Sequence, residues 1–301
     1  MKLSRRRLLQ AGAVAGAASA LPERAAARAR RIAAPTSVGM LYDSTRCIGC
    51  RTCVAKCREA NELPPDRVRM EDVPYDAPPD LDGTTKTVIK VASAGDRWAF
   101  VKAQCMHCVD PACTSVCMIG ALHKIAGTGI VAYDKDGCVG CRYCQVACPY
   151  NVPKFTWDRA VPQIVKCELC RHRADAKRTG ILAVANPACC EVCPRDAVVY
   201  GRRADLLEEA RRRLAADPGR YEPGVFGERD GGGTQVLYLA PRGVPFRAMG
   251  LPELGDEPAP ALSETIQHGL YWGMAAPVAL FAIALARTRK SAAPHREEDE
   301  P

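Results

Sequence analysis

The sequence predicts an α+β fold of small tandem modules, each built round a cysteine-rich loop, with one transmembrane helix near the C-terminus. Three observations predict it. Sixteen of the 17 cysteines fall into four quartets of related spacing. Short β-like stretches flank those quartets, and one amphipathic helix follows the last of them. Further on, the 22 residues between Glu264 and Arg287 carry no formal charge. A chain of this length ordinarily makes about two domains. Aromatic residues are only 6% of it, so an aromatic-rich core is not expected. Groups bound by the cysteines are expected to staple the fold, because binding free energy becomes folding free energy when a site cannot form in the unfolded chain.

The chain opens on a basic segment. Residues 1–31 hold eight basic residues and one acid, which accounts for +7 of the formal net charge of +8. The remainder is close to neutral, which excludes the basic footprint of a nucleic-acid binder. Ser4-Arg5-Arg6-Arg7-Leu8-Leu9 leads into an uncharged run, Leu8 to Leu21, made mostly of Ala and Gly. Arg5 and Arg6 read as the pair of a twin-arginine signal, and residues 1–27 as the signal region. Ala18-Ser19-Ala20 offers a small-residue cleavage site, with Ala25 to Ala27 as an alternative. An ordinary secretory signal is the competing reading; the weakly apolar, Ala-rich segment favours the twin-arginine route. That route carries folded cargo, which suits a protein whose cofactors are assembled before export.

Residues 40–201 form the cysteine-rich domain. Cys47, Cys50, Cys53 and Cys57 read C-x2-C-x2-C-x3-C, and Cys138, Cys141, Cys144 and Cys148 repeat the spacing before Pro149. This is the run that bacterial ferredoxins use to hold 4Fe-4S clusters. Cys105, Cys108, Cys113 and Cys117 widen the middle gap to four residues, and Cys167 and Cys170 are separated by a longer loop from Cys189 and Cys193. Three cysteines on a tight loop can aim three thiolates at one cluster, because a soft iron-sulfide cube prefers soft anionic ligands. The fourth comes from elsewhere: in two-cluster ferredoxins the last cysteine of each run serves the other cluster. Four runs therefore predict two pairs and four 4Fe-4S clusters. Spacing leaves open whether the runs pair sequentially or in a nested order.

Other uses of so many cysteines fit less well. An exported chain favours disulfides, but a disulfide framework suits short chains and needs no triplets at i, i+3 and i+6. Zinc sites take paired cysteines or histidines and rarely a third cysteine two residues on. Cys190 breaks the spacing to Cys193 and is expected to be a packed or spare thiol. His107, between Met106 and Cys108, is placed to tune a cluster but not to ligate one, since all four cysteines of its run are present.

The connecting segments are plainer. An insertion, 61–98, is rich in Pro, Asp and Gly, with a strand at Thr87-Val-Ile-Lys-Val and another starting at Trp98-Ala-Phe-Val. Ile130-Val-Ala-Tyr and Ala197-Val-Val-Tyr read as strands flanking the third and fourth runs. In the extension, 202–262, Ala204 to Ala216 is an amphipathic helix with Asp205 near its start and arginines later, matching the macrodipole. Gly231-Gly-Gly reads as a turn into the strand Val-Leu-Tyr-Leu, not a phosphate loop. No catalytic constellation is visible, so no enzymatic step is expected on this chain.

Residues 265–286 are long enough, at about 1.5 Å per residue, to cross about 30 Å of hydrocarbon. Tyr271 and Trp272 are expected at the entry interface, and Pro277 is tolerable in a membrane helix. Acids precede the span, and Arg287, Arg289 and Lys290 follow it. The positive-inside rule then puts the tail, 287–301, in the cytoplasm and the cysteine-rich body outside. A buried core helix is the competing reading. His268, at the boundary, has no second histidine in the span and reads as an interfacial polar residue.

The runs Cys57-Arg-Glu-Ala-Asn, Cys148-Pro-Tyr-Asn-Val-Pro-Lys-Phe and Lys166-Cys-Glu-Leu-Cys resemble the four-cluster subunits of membrane-bound periplasmic oxidoreductases. The leader, Gly227-Glu-Arg-Asp-Gly-Gly-Gly-Thr-Gln-Val-Leu and Ile266-Gln-His-Gly-Leu-Tyr resemble more closely the iron-sulfur electron-transfer subunit of hydrogenase-2-type nickel-iron hydrogenase. The resemblance covers nearly the whole chain. It implies a periplasmic relay between the small and large subunits of a nickel-iron hydrogenase and an integral membrane partner that handles quinone. The same relay serving a molybdenum or tungsten oxidoreductase is the alternative. It also implies nested ligand sets: Cys47, Cys50, Cys53 with Cys193; Cys167, Cys170, Cys189 with Cys57; Cys105, Cys108, Cys113 with Cys148; and Cys138, Cys141, Cys144 with Cys117. Met118 departs from the family, where proline often follows the fourth cysteine.

Overall fold

A computed structural model describes residues 31–65, 80–158, 160–173, 186–260, 273 and 277–288. Residues 30–260 make one unit, and 1–29 with 261–301 make another. The signal region with Arg5 and Arg6, and His268, lie outside the described residues. Most of the expected span, 265–286, does too. Gly273 and residues 277–288 are helical, and among the described residues no helix is long and apolar enough to cross a membrane.

The unit 30–260 is a mixed α/β structure of short elements. Its sheet places β1 (Val38–Asp43) between β8 (Val198–Arg202), antiparallel, and β9 (Val236–Leu239), parallel. Met40 stands opposite Tyr200 on one side and Val236 on the other. Strand side chains alternate between faces, and here both faces are covered. Leu41, Leu237 and Leu239 pack with Leu206 and Ala210 of α5 (Arg203–Ala216). Met40, Tyr42, Val236 and Tyr238 point the other way, into the main core. Against that core lies the hairpin of β2 (Thr87–Ala94) and β3 (Arg97–Gln104), which contributes Val88, Ile89, Phe100 and Val101. Two-stranded pieces complete the unit: β4 (Leu122–Lys124) with β5 (Val131–Tyr133), and β6 (Lys154–Phe155) with β7 (Ile164–Val165).

Several expectations change here. Strands at 87–91 and from 98, at 130–133 and 197–200, and the helix at 204–216 all stand, within a residue or a few at their ends. The stretch 87–98 is more than connective, because its hairpin builds one wall of the core. The core is also less poor in rings than composition implied. Tyr42 meets Tyr238 edge-on at 5.3 Å between centroids, and Phe226 continues the stack at 6.4 Å from Tyr238. A low aromatic fraction does not prevent the few rings from collecting where burial is most favourable. One close approach depends on glycine: a Cβ on Gly39 would stand 2.2 Å from the Gln235 carbonyl oxygen, where β9 comes against β1.

Candidate metal centres

Each cysteine loop enters a short helix. These are α1 (Thr52–Ala60), α2 (Ala112–Ser115), α3 (Tyr143–Ala147) and α4 (Ala188–Glu191). The first and third loops repeat one another in conformation as well as spacing. Gly49 and Arg51 have φ of 68° and 59°, and Gly140 and Arg142 have 70° and 68°. Successive left-handed and helical residues turn backbone N–H groups inward, forming the concave nests that hold anions and iron-sulfur groups. Donors do reach the sulfurs: Ala197 N–H donates to Cys193 Sγ at 3.3 Å, Leu122 N–H to Cys117 Sγ and Leu169 N–H to Cys167 Sγ, both at 3.4 Å. The Thr52 hydroxyl donates to Cys50 Sγ at 3.4 Å.

The thiols gather in four groups. Cys47, Cys50, Cys53 and Cys193 line one small cavity, and Cys57, Cys167, Cys170 and Cys189 another. Elsewhere, burial raises Cys108 well above the usual thiol range, and the thiolates that add to the rise are Cys105, Cys113 and Cys148. Burial pushes Cys144 to about 12, assisted by Cys141, Cys117 and Cys138. Neighbouring groups abut in series. Burial lifts Cys53 to about 11 with a contribution from Cys189; burial lifts Cys167 with a contribution from Cys105; burial lifts Cys113 with a contribution from Cys144. Cys190, the thiol outside every quartet, is buried and hydrogen-bonds Cys189, which holds the Cys189 thiol below its ordinary value.

Among the described residues no three Cys, His, Asp or Glu side chains converge tightly enough to hold one metal ion. The thiols instead come in groups of four, the number of ligands that an iron-sulfur cube takes. Unpartnered polar atoms point the same way. His107 is fully buried; its Nδ1 accepts from Val131 N–H at 3.1 Å, so the proton sits on Nε2, which has no partner among the described residues. The hydroxyls of Tyr150 and Tyr200 are likewise buried and unpartnered. Burial raises both phenols, and the thiolates adding to the rise include Cys108 for Tyr150, and Cys190 and Cys170 for Tyr200. Buried donors without acceptors are costly, and for the two tyrosines thiolate sulfur is the acceptor at hand. The residues present therefore fit 4Fe-4S groups.

Sequence reasoning missed three buried lysines. Lys102 and Lys166 are buried in the core, and Lys124 is half-buried. Lys124 Nζ donates to the carbonyls of Cys108 at 2.7 Å and Gly129 at 2.8 Å, and burial lowers it to about 8 against the pull of the Cys108 and Cys105 thiolates. Lys166 Nζ donates to the carbonyls of Val131 and Cys167. The signal was present for Lys102: alternation along β3 puts it on the face shared by Phe100 and Gln104. A lone lysine in a strand nonetheless reads as solvent-facing by default.

Fold and site together define a ferredoxin-like protein of the 4Fe-4S electron-transfer class. Residues 96–203 match the 4Fe-4S dicluster domain family. The chain is 43% identical over 289 residues to the hydrogenase-2 operon protein HybA of Escherichia coli O157:H7, covering 85% of each. It is 33% identical over 272 residues to the formate dehydrogenase iron-sulfur subunit of Haemophilus influenzae, covering 87% of this chain and 83% of that one. The chain belongs to this family of hydrogenase-2 operon protein HybA and related iron-sulfur subunits. It binds 4Fe-4S clusters, and its cysteine complement is that of four.

Proposed function

We propose that this chain is the non-catalytic relay between a periplasmic nickel-iron hydrogenase and a quinone-reactive membrane subunit. The observation that carries the reading is the series of four thiol groups, each abutting the next, from Cys47/50/53/193 through Cys57/167/170/189 and Cys105/108/113/148 to Cys117/138/141/144. These are the nested ligand sets that the resemblance implies. A bound 4Fe-4S cluster supplies a one-electron centre at each group. The chain's own part is to hold the thiolates, to present N–H and O–H donors to sulfur, and to keep the inner groups dry.

The ends of the series support entry and exit faces. Cys50, in the first group, and Cys141, in the last, are the exposed cysteines. Exposed apolar side chains flank each: Ile48 beside Cys50, and Val139, Tyr143 and Val146 round Cys141. Exposed apolar patches of this kind mark protein interfaces. The identity to HybA, higher than that to the formate dehydrogenase subunits, favours a hydrogenase over a molybdenum or tungsten partner. Export by the twin-arginine route, the C-terminal anchor at 265–286 and the cytoplasmic tail belong to the same reading.

The test is to extract the native membrane complex anaerobically in mild detergent, identify its subunits by mass spectrometry and measure its metals. Co-purification with the two nickel-iron hydrogenase subunits and a multispanning membrane subunit is expected, with about sixteen irons on this chain. A molybdopterin-type partner would overturn the hydrogenase assignment, and stoichiometric zinc with little iron would overturn the relay.

A further inference from the structure

We propose that Lys102 sets the potential of the first two clusters, its buried ammonium serving as the counter-charge shared by the Cys47/50/53/193 and Cys57/167/170/189 groups. The inference rests on the four-cluster reading above. Lys102 is 0% exposed. It lines the second cavity together with Cys57, Cys167, Cys170 and Cys189. Among the described residues its ammonium has one hydrogen-bond acceptor, the Thr87 hydroxyl, and no carboxylate within ion-pair distance. Thr87 is itself buried, and its hydroxyl donates onward to the Ala103 carbonyl. An ammonium carries three donors, and a buried charge without a partner is costly. Lys124 and Lys166 meet that cost with backbone carbonyls; Lys102 does not.

What faces Lys102 instead is sulfur. The groups that its charge meets are the sulfurs of Cys189, Cys53, Cys57 and Cys167. Reciprocally, Lys102 is the first cation acting on Cys53 and on Cys57. Cys53 belongs to the first group and the other three to the second, so the ammonium stands at their junction. The backbone is fixed there as well, because the Tyr238 hydroxyl donates to the Lys102 carbonyl. Reduction adds one negative charge to a cluster. A fixed cation in a dry site favours that reduced state and is little screened by salt, and net charge near a cluster is one of the levers that set its potential. The first two clusters are therefore easier to reduce than their ligands alone would make them.

The experiment is an EPR-monitored redox titration of the purified holo complex carrying Lys102→Met, with Lys102→Gln and Lys102→Arg beside it. Iron is counted first: too few irons in the unaltered protein would sink the four-cluster reading itself, separately from the inference about Lys102. With iron complete, both neutral variants are expected to lower two of the four couples, each by at least a tenfold change in equilibrium constant, which is about 59 mV for a one-electron step. The other two couples should stay in place, and Lys102→Arg should keep all four near their original values. Unmoved couples, or an equal shift in all four, would overturn the proposal. If the neutral variants fail to assemble clusters while Lys102→Arg succeeds, the charge serves assembly and not the potential, and the proposal falls. If Lys102→Arg fails too, Lys102 is a packing residue and the proposal falls.

Discussion

Individual residues carry more of the polar architecture than their positions in sequence suggest. Asp43, at the end of β1 and four residues before Cys47, is fully buried and accepts from Arg213 Nη1 at 2.9 Å and from the Tyr221 hydroxyl at 3.1 Å. Its other oxygen takes the Thr45 N–H at 3.0 Å and the Thr45 hydroxyl at 2.6 Å. The first cysteine loop is thereby tied to α5. Without Arg213 the buried Asp43 keeps only the looser ion pair with Arg46 at 3.5 Å, so Arg213→Met is expected to destabilise the protein by about 1–3 kcal/mol. A melting temperature equal to that of the unaltered protein would contradict this. Cys190 gives the opposite expectation. It lies outside all four thiol groups, so Cys190→Ala should keep the full iron content by colorimetric assay, whereas Cys193→Ser should lose iron from the first group.

At the level of elements, the decisive junction is between β1 and β9. Met40 N–H donates to the Gln235 carbonyl at 2.9 Å, and the Gln235 side chain reaches back to the Val38 carbonyl. Gly39 lies between them with no room for a side chain. Gly39→Ala must push the strands apart, an overpacking expected to cost about 1–3 kcal/mol. Thermal unfolding of the iron-loaded protein reads the loss, and an unchanged midpoint would show that the strands can yield. The elements themselves were largely legible. Alternating apolar residues gave the β2–β3 hairpin, and α5 followed from its arginines and apolar stripe. The strand Val38–Asp43 was not singled out, because Val-Gly-Met-Leu-Tyr is short, holds a glycine and is buried on both faces. Nothing local distinguishes such a run from a loop.

For the molecule as a whole, cofactor and fold are expected to be one equilibrium. Metal binding that shapes a site contributes directly to folding. Lys102 and the burial-raised thiols are arranged for sulfur-bound anions, so an iron-free unit would keep buried cations without counter-charges. Stripping iron anaerobically with a chelator is therefore expected to abolish the protease resistance of residues 30–260 and most of their far-UV circular dichroism. Retention of both would mean that the tyrosine and leucine core suffices alone. The sequence by itself determined the cofactor type, the sixteen cysteines and the family likeness, because a soft cluster on a tight loop imposes a spacing that few other structures share. Cys190 was set apart by the same arithmetic. The likeness also implied which thiols from distant runs belong together, and only the tertiary structure brought the buried Lys102 against them. Spacing constrains neighbours along the chain, while the charge that a thiolate or an ammonium meets is fixed by what packs against it from the rest of the fold.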